Sequence, residues 1–256
     1  MITTEQFRLD GKVAIVTGSG RNIGRAIAES FAACGAKVVV NGHRDRAAID
    51  AVASGIEERG GEAIAVLADV SKDEDVGGLV GDAVAAFGAV DIVVSNVAVR
   101  RYRSFLDTTP EEWREVIDTN LSAAFFLARH ALPHMRKQGK GRFIVISGFD
   151  GFWGQVTHRA PNLAAKAGLH GLAKAIAREF GADGITANTV APGAIDTVRD
   201  WSQYPGHSPE KTKAEIPLRR YGHVDEIAAA CLFLASDAGG FVSGQVVHVN
   251  GGHYMY

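Results

Sequence analysis

The sequence has little of what marks several broad classes of protein. It contains two cysteines, Cys34 and Cys231, in 256 residues, too few for a disulfide framework or a metal site built from clustered cysteines. Both lie in apolar helical patterns, so we interpret them as buried small side chains rather than as a redox pair. The sequence therefore predicts no bound metal.

Net charge and long apolar runs are lacking as well. Lys and Arg number 27 against 29 Asp and Glu, whereas a nucleic-acid-binding domain needs a basic excess or a basic stripe. No apolar run approaches membrane-spanning length, and the N-terminal MITTEQFRLDGK lacks the basic and then apolar pattern of a signal peptide. We expect a cytoplasmic protein that binds neither nucleic acid nor a membrane.

What the sequence does have is an alternation of short β-branched runs and longer helical patterns. The runs that predict strands are KVAIVTG, AKVVVNG, EAIAVLADV, VDIVVSN, GRFIVISG, GITANTVAPG and GQVVHVNGG, and the helical segments are 22–34, 45–59, 73–87, 110–137, 161–182 and 224–236. Apolar strands that alternate with helices are typical of βαβ units in a parallel sheet covered on both faces. We predict one α/β domain over residues 1–256, a doubly wound Rossmann-type sheet of seven parallel strands.

Residues 194–216 form the longest stretch without a periodic pattern. They follow the carboxyl end of the sixth predicted strand, where sheets of this kind bind ligands. A long irregular insertion at that place is usually a lid or a binding loop. We interpret it as a substrate loop.

The first strand runs directly into TGSGRNIGRAIAES. Gly18, Gly20 and Gly24 let the backbone turn tightly and approach a pyrophosphate, which would lie at the N-terminus of the following helix. The stretch departs from G-x-G-x-x-G but fits T-G-x-x-x-G-x-G if Asn22 replaces the middle glycine. Asparagine is among the residues that best tolerate a left-handed backbone. The loop therefore predicts a nucleotide site.

The end of the second strand bears on the choice of nucleotide. NAD-selective proteins place an acidic residue here for the ribose 2′-hydroxyl, but Asn41 is followed by GHRDR. His43 and Arg44, together with Arg21 of the glycine loop, suit a 2′-phosphate and favour NADP(H) over NAD(H). The alternative is a solvated basic helix start. Asp69 of the third strand is a candidate acceptor for the adenine amino group.

These motifs resemble those of the short-chain dehydrogenase/reductase family, and in particular its 3-oxoacyl-ACP-reductase-like members, over nearly the whole sequence. The resemblance implies a small-molecule substrate and a homotetramer or homodimer. Taken together, the motifs and the resemblance give as cofactor-binding residues Gly18, Gly20, Arg21, Asn22, Ile23, Gly24, Asn41, His43, Arg44, Asp69, Val70, Asn96, Ala98, Lys166, Pro192, Gly193, Ile195 and Thr197. Asn120 in DTNLSAAF matches the asparagine at which the family kinks a helix, and NTVAPGAIDT matches the segment that closes over the nicotinamide.

The catalytic positions depart from the family pattern. In the family, a tyrosine exchanges a proton with the substrate oxygen, a lysine four residues later assists it, and a serine after the fifth strand binds that oxygen. Lys166 is retained, but Asn162 stands at the tyrosine position and Gly148 at the serine position. An amide can bind an oxygen but cannot supply a proton at neutral pH, and general acid–base help is worth roughly 10²–10⁴-fold.

Three interpretations remain open for such a site. In the first, a relocated acid serves a redox enzyme acting on a small carbonyl, alcohol or enone, as in the family branch that resembles 2,4-dienoyl-CoA reductases. Asp150 is then the candidate proton donor, because the apolar rings of Phe149, Phe152 and Trp153 would favour its protonated form. A carboxylate that caps a turn is an equally good explanation of Asp150. The weaker candidates for the donor are His158, Tyr102 and Tyr204. The second is a non-redox lyase or isomerase, and the third a nucleotide-binding protein without turnover. The retained Lys166 and Asn120 favour the first.

Three segments are expected to frame the substrate: 100–103, 149–158 and 194–216. Phe152, Trp153, Trp201 and Tyr204 indicate an apolar or aromatic ligand, unless these rings only pack the loop. Arg100, Arg101 and Arg103 could hold a carboxylate or a phosphate, although a solvated loop explains this cluster as well.

Overall fold

The sheet of the protein contains seven parallel strands. The computed structural model describes residues 3–154, 157–198 and 208–255, and these residues form one sheet in the order β3-β2-β1-β4-β5-β6-β7. The strands are β1 (Val13–Val16), β2 (Lys37–Gly42), β3 (Glu62–Leu67), β4 (Ile92–Ser95), β5 (Gly141–Ile146), β6 (Ile185–Pro192) and β7 (Val246–Val249). The predicted seven-stranded, doubly wound parallel sheet is confirmed.

Helices cover both faces of this sheet. They are α1 (Asn22–Ala33), α2 (Arg46–Glu58), α3 (Asp73–Phe87), α4 (Pro110–Ile117), α5 (Ala123–Gln138), α6 (Ala160–Phe180), α7 (Pro209–Glu215) and α8 (Val224–Ala235). Successive strand residues point to opposite faces: Ala14 and Val16 pack with α1, α2 and α8, whereas Ile15 packs with α3, α5 and α6. Burial on both faces explains why the central strands are continuous β-branched runs instead of alternating patterns.

The strand order reverses between β1 and β4, and this reversal positions the site. The polypeptide leaves β1 toward one side of the sheet and β4 toward the other, which opens a crevice at the carboxyl edge where ligands bind in such folds. The glycine-rich loop follows β1 and Asn96 follows β4. Both segments with nucleotide-binding motifs therefore border this crevice.

The segment predicted as one helix, 110–137, is interrupted. α4 begins at a capping box in which Thr109 accepts from the Glu112 amide and Glu112 accepts from the Thr109 amide, with Pro110 at the first helical position. Between α4 and α5 lies a π-helical turn, Asp118–Ser122, with Asn120 buried inside it. Such turns often occur at functional sites, and this one directs Asn120 toward the carboxyl edge.

The prediction that 194–216 lacks regular structure is wrong at its second half. Pro209–Glu215 form α7, whose first turn is capped by Ser208, which accepts a hydrogen bond from the Lys211 amide. Serine followed by proline is a helix-start signal, and it was available in the sequence. Residues 199–207, which include Trp201 and Tyr204, lie outside the described residues.

Within the described ranges, no helix is long and apolar enough to cross a membrane. The same residues include no group of three or more His, Cys, Asp or Glu side chains arranged to hold a metal ion. Cys231 is buried and Cys34 is partly buried, and both are free thiols. Burial raises the pKa of each thiol, which fits packing better than reactivity.

Candidate active site

The glycine-rich loop turns back on itself at the carboxyl end of β1. Gly18 has a φ of 62° and Asn22 a φ of 50°, so the asparagine holds the left-handed conformation that its position requires. A Cβ on Gly24 would lie 2.3 Å from the carbonyl oxygen of Gly18, so only glycine fits there. Asn96 braces the turn, donating from Nδ2 to the carbonyls of Thr17 at 3.0 Å and Gly18 at 3.3 Å.

Asn41 is predicted to contact the nucleotide, but its side chain hydrogen-bonds to the backbone of the glycine-rich loop and of neighbouring strands. Its side chain is buried and donates to the carbonyls of Gly42, Val66 and Ala68 at 3.2–3.3 Å. Its Oδ1 accepts from the Gly18 amide at 3.4 Å. The carboxamide is thus occupied by protein groups.

The N-terminus of α1 fits the pyrophosphate that the glycine loop predicts. Its N-cap residue, Arg21, makes no side-chain capping bond within the described residues. The first N–H groups of a helix have no partner inside the helix, and together with the helix dipole they attract an anion.

The neighbouring edge, after β2 and β3, combines basic side chains with the carboxylate of Asp69. Asp69 accepts at Oδ1 from the hydroxyl and amide of Ser71, at 2.7 and 3.1 Å. Its Oδ2 lies 3.5 Å from Nε2 of His43. Burial alone would raise the pKa of Asp69, but the Ser71 hydrogen bonds and nearby His43 and Lys72 lower it overall. Arg21 and Arg44 are exposed and form no ion pair in the part of the protein that the structure describes.

The other candidate cofactor residues lie along the same edge. Val70 is buried beneath Asp69, and Ala98 is exposed after β4. At the end of β6, beside Pro192, a Cβ on Gly193 would lie 2.7 Å from Asn250. Ile195 forms a parallel bridge with Gly222, which fixes the path of the backbone toward Thr197.

Lys166 is buried in α6 and 3% exposed. Its Nζ donates to the backbone carbonyl of Ile146, at the end of β5, at 2.8 Å. The pKa of Lys166 is lowered to about 7, mainly by burial. The positive charge of Arg100 contributes to this lowering of the pKa, whereas the negative charge of Asp150 opposes it. At neutral pH this amine can therefore both carry and release a proton.

Asn162 lies one helical turn before Lys166 and is 1% exposed. Its Oδ1 accepts from Nδ2 of Asn120 at 3.2 Å, while Asn120 also pairs with the backbone of Val99 through bonds of 2.7 and 2.8 Å. The Nδ2 of Asn162 is buried without a hydrogen-bond partner among the described residues. A buried donor without a partner is costly, so this N–H is a candidate donor to an acceptor oxygen.

Two consecutive residues follow β5 and serve different purposes. The Ser147 hydroxyl lies 2.9 Å from Nε2 of His170 and 3.4 Å from the carbonyl oxygen of Val190, so it is engaged inside the protein. Gly148 has an extended backbone with a φ of 167°. A Cβ placed there would meet no described atom within 4 Å, so the site has room for a larger side chain.

Asp150 lies near Lys166, but its surroundings are not those expected for a proton donor. Its carboxylate forms an ion pair with Arg159 at 3.2 Å, and both side chains are largely buried. The neighbouring rings pack elsewhere: Phe152 stacks on His170 at 4.1 Å, and Trp153 contacts Phe149 at 5.3 Å. An ion pair requires the carboxylate, whereas a donor must be the carboxylic acid.

Two of the three arginines expected at the substrate are engaged with α4. Arg101 pairs with Glu115 and Arg103 with Glu112, each with a shortest contact of 2.6 Å, so their guanidinium groups are neutralised. Arg100 is exposed and forms no ion pair within the described residues, although its charge acts on Lys166. Of the weaker acid candidates, His158 is exposed and Tyr102 lies under the Arg159 guanidinium at 5.0 Å.

Comparison with known proteins shows to which family the protein belongs. Residues 18–254 match the family model described as enoyl-(acyl carrier protein) reductase. A 3-oxoacyl-(acyl-carrier-protein) reductase from Staphylococcus epidermidis is 38% identical over 247 residues, which cover 95% of this protein and 99% of that one. The protein belongs to the short-chain dehydrogenase/reductase family.

Solved structures of similar proteins agree with this assignment. A dehydrogenase/reductase from Sinorhizobium meliloti 1021 superposes with a TM-score of 0.91 at 32% identity, covering 98% of both proteins. A protein from Beutenbergia cavernae, described as an NAD(P)-dependent gluconate 5-dehydrogenase with bound NADP at low occupancy, superposes with a TM-score of 0.90 at 34% identity. That match covers 97% of this protein and 98% of the other. This short-chain dehydrogenase/reductase is an oxidoreductase of its family.

The sequence did not point to three histidines of this short-chain dehydrogenase/reductase that lie beside the site. His170 shares a face of α6 with Asn162 and Lys166, at a spacing of four residues that could have revealed it. His248 lies in β7 near Phe152, and His253 contacts Phe149 and Trp153 at 5.1 Å. Burial, together with the charges of His248, Lys174 and Lys166, lowers the pKa of His170 to about 4. His170 is therefore neutral at physiological pH.

Proposed function

We propose that the protein is an NADP(H)-dependent oxidoreductase that acts on a small carbonyl, alcohol or enone and handles its proton without a tyrosine. One observation carries this proposal: among the described residues the buried Nδ2 of Asn162 has no hydrogen-bond partner, and it lies one helical turn from the buried amine of Lys166. This pair lies at the same sheet edge as a glycine loop shaped for a dinucleotide. Hydride chemistry with an altered proton path fits that combination.

The residues that would hold the dinucleotide line the crevice. The uncapped start of α1 suits the pyrophosphate, Asp69 and Val70 the adenine, and Pro192, Gly193, Ile195 and Thr197 the nicotinamide side. Arg21 and Arg44, which form no ion pair with the residues that the structure describes, would supply positive charge for a 2′-phosphate, and this supports NADP(H) over NAD(H). The NADP in the Beutenbergia cavernae relative supports the same assignment. When bound, the dinucleotide supplies or accepts the hydride.

Asn162 would bind the substrate oxygen without changing its protonation. Its Nδ2 is a donor of a neutral amide, and Asn120 fixes the other end of that amide at 3.2 Å. A donor held in place stabilises the negative charge that develops on a carbonyl oxygen during hydride addition. The proton itself must come from another group.

Lys166 is better placed than Asp150 to provide that proton. A general acid works best when its pKa lies near the working pH, and burial brings the pKa of Lys166 to about 7. Asp150 is committed to Arg159 as a carboxylate. We therefore assign proton transfer to the Lys166 Nζ, with Asp150 supporting the charge of the ammonium through space.

The two remaining interpretations find less support. Lyase or isomerase chemistry in which Asp150 or His158 moves the proton is less favoured, because Asp150 is paired with Arg159 and His158 is exposed. The relatives named above are reductases and dehydrogenases, which also favours redox chemistry.

For the substrate we propose a small molecule with an anionic group. Arg100 is the arginine of the 100–103 cluster that α4 leaves unpaired within the described residues, and its charge reaches Lys166. Guanidinium groups bind carboxylates and phosphates well. As in the family, we expect a homotetramer or homodimer.

The first test is binding of NADPH and NADH, followed by the change in nicotinamide fluorescence. We expect tighter binding of NADPH, weakened in Lys166→Ala and unchanged in Asp150→Asn. Arg44→Gln tests recognition of the 2′-phosphate, because it should weaken the binding of NADPH without affecting the binding of NADH. If wild-type protein binds neither nucleotide, the redox function is wrong.

A further inference from the structure

Asn22 connects two segments that are 176 residues apart in the sequence. Its Nδ2 donates to the carbonyl of Val198 at 3.0 Å, and its Oδ1 accepts from the Val198 amide, also at 3.0 Å. The pair resembles one step of a β-ladder, with a side-chain amide replacing one strand. We call this two-bond contact between Asn22 and Val198 the clasp.

Few residues other than asparagine can form the clasp at this position. The φ of 50° is readily adopted by glycine and tolerated by asparagine and aspartate. Glycine has no side chain to bond with, and an aspartate carboxylate has no donor for the carbonyl. Asparagine supplies the backbone conformation, a donor and an acceptor together. The replacement of the expected glycine therefore adds a contact as well as tolerating the turn.

The clasp fixes the far end of a short segment whose near end is already anchored. The near end is held at Gly222, which donates to the carbonyl of Ala194 at 3.0 Å and accepts from the Asp196 amide at 2.9 Å. Val198 is 82% exposed, so packing contributes little there. A cleft of about 330 Å³ lies beside the clasp, between α1 and the start of α8. Thr197 thus lies between one bridge anchor and the clasp.

We propose that Asn22 is a positioning residue that holds Thr197 over the N-terminus of α1 before the dinucleotide binds. The clasp joins the two walls of the crevice, the glycine loop and the segment after β6, on the side where the phosphates would lie. Ordering this segment in advance lowers the entropic cost of binding. The inference rests on the proposed function, because the ligand it concerns is the dinucleotide.

The expected consequence is slow release of the dinucleotide. A tenfold change in the dissociation rate corresponds to about 1.4 kcal/mol, which two hydrogen bonds between neutral groups can supply. Asn22→Gly removes both bonds and keeps the backbone conformation unstrained. We expect about tenfold faster dissociation of NADPH, with an association rate within about twofold of wild type.

The test combines amide hydrogen exchange with stopped-flow fluorescence. Exchange is measured at Val198 without nucleotide, and NADPH association and dissociation are measured separately. Arg219→Gly is the matched control, because Arg219 also has a positive φ of 56° but lies away from the clasp. Loss of Val198 protection together with faster NADPH release, in Asn22→Gly but not in Arg219→Gly, supports the proposal.

Two other results would overturn it. Unchanged exchange and unchanged release in Asn22→Gly mean that the clasp positions nothing. Faster association with tighter binding means that the clasp obstructs the crevice. Failure of the wild-type protein to bind NADPH would instead contradict the proposed function, and with it the dinucleotide role of Asn22, whereas the exchange measurement would still show whether Asn22 holds Val198.

Discussion

Lys166 and His170 are ionisable groups that the fold keeps out of water on one face of α6. Desolvation disfavours their charged forms, and in both cases it is the largest influence on the pKa. Lys166 then titrates near neutrality, while His170 stays neutral and bonds to Ser147. The same burial that makes Lys166 a usable acid must therefore reduce the stability of the folded protein at low pH.

Lys166→Met should stabilise the protein and remove part of its pH dependence. The folded pKa of about 7 lies below the ordinary value of 10.5, so between these values the unfolded protein binds a proton that the folded protein has released. The wild-type free energy of unfolding consequently rises with pH across this window. At 1.36 kcal/mol per pKa unit, the Lys166 contribution is at most about 5 kcal/mol.

Urea unfolding at pH 6.5, 8.5 and 10 measures this effect. The difference between Lys166→Met and wild type should be largest at pH 6.5, in favour of the variant, and should shrink as the pH rises. Lys174→Met, on the same helix, is the control. Parallel curves for Lys166→Met and wild type would contradict the burial of a neutral amine.

His170→Phe should act on the acid side. The pKa of His170 falls from 6.5 to about 4, so the unfolded protein binds the extra proton between these values and stability falls as the pH drops through the window. The loss attributable to His170 is at most about 3 kcal/mol. Phenylalanine retains the stacking on Phe152 but cannot titrate, so the variant should lose less stability than wild type between pH 6.5 and 4. An identical acid transition in both proteins would refute this assignment.

At the scale of elements, the site depends on side-chain amides that join loops to helices. Asn120, in the π-helical turn between α4 and α5, holds Val99 after β4. Asn22, at the start of α1, holds Val198 after β6. In both cases the carboxamide satisfies one backbone amide and one backbone carbonyl of an irregular segment, which such segments need when no strand lies beside them.

The sequence indicated some of these local features and missed others. A left-handed Asn22 and a kink at Asn120 followed from conformational preference and from family resemblance. The pairing of Arg101 and Arg103 with α4 did not, because the partners Glu115 and Glu112 are set by how α4 packs. The Asp150–Arg159 pair was missed for the same reason: the sequence reasoning weighed only the apolar neighbours of Asp150, whereas its partner lies nine residues later.

The loop after β5 offers a direct test of the altered catalytic pattern. Gly148→Ser should be tolerated, because the backbone is extended and a Cβ meets no described atom within 4 Å. Combined with Asn162→Tyr, it would restore the serine, tyrosine and lysine that the resemblance expects. A general acid is worth roughly 10²–10⁴-fold, so we expect NADPH-dependent reduction of acetoacetyl-coenzyme A, a thioester with anionic phosphate groups, to rise by about 10² in the double variant.

Gly148→Ser alone is the matched control and should change the rate little, since it adds no proton donor. The pH profile gives a second readout. Wild-type reduction should fall as the pH rises past about 7, following Lys166, whereas the double variant should lose this dependence. A double variant that folds and binds NADPH, yet reduces the thioester no faster than wild type, would show that the missing acid does not limit the reaction.

For the whole molecule, topology was more predictable than the site. Continuous β-branched runs separated by helices can form few other folds, and the reversal between β1 and β4 then determines where a ligand lies. The sequence analysis did not predict the short helix α7, because α7 follows a stretch without periodicity. It also did not predict the donor of Asn162 that lacks a partner among the described residues, because that arrangement arises only when the π-helical turn and α6 bring Asn120 and Asn162 together.

Assembly is the remaining property of the whole molecule, and α4 and α5 carry the argument for it. Trp113 is 41% exposed and Phe125 49% exposed, while Phe105 and Leu106, just before α4, are 76% and 93% exposed. Exposed apolar side chains on and just before these helices indicate a candidate interaction surface, and from the family resemblance we expect a subunit contact there. Phe125→Glu should therefore shift a homo-oligomer toward a smaller species, because an unpaired charge would be buried in the contact. Light scattering during size-exclusion chromatography measures the mass of the assembly relative to the 27.1 kDa protomer.

Leu67→Glu is the control. Leu67 lies on the outer strand β3, so this variant adds the same charge at another exposed apolar position and should leave the mass unchanged. Equal masses for Phe125→Glu and wild type would place the contact elsewhere.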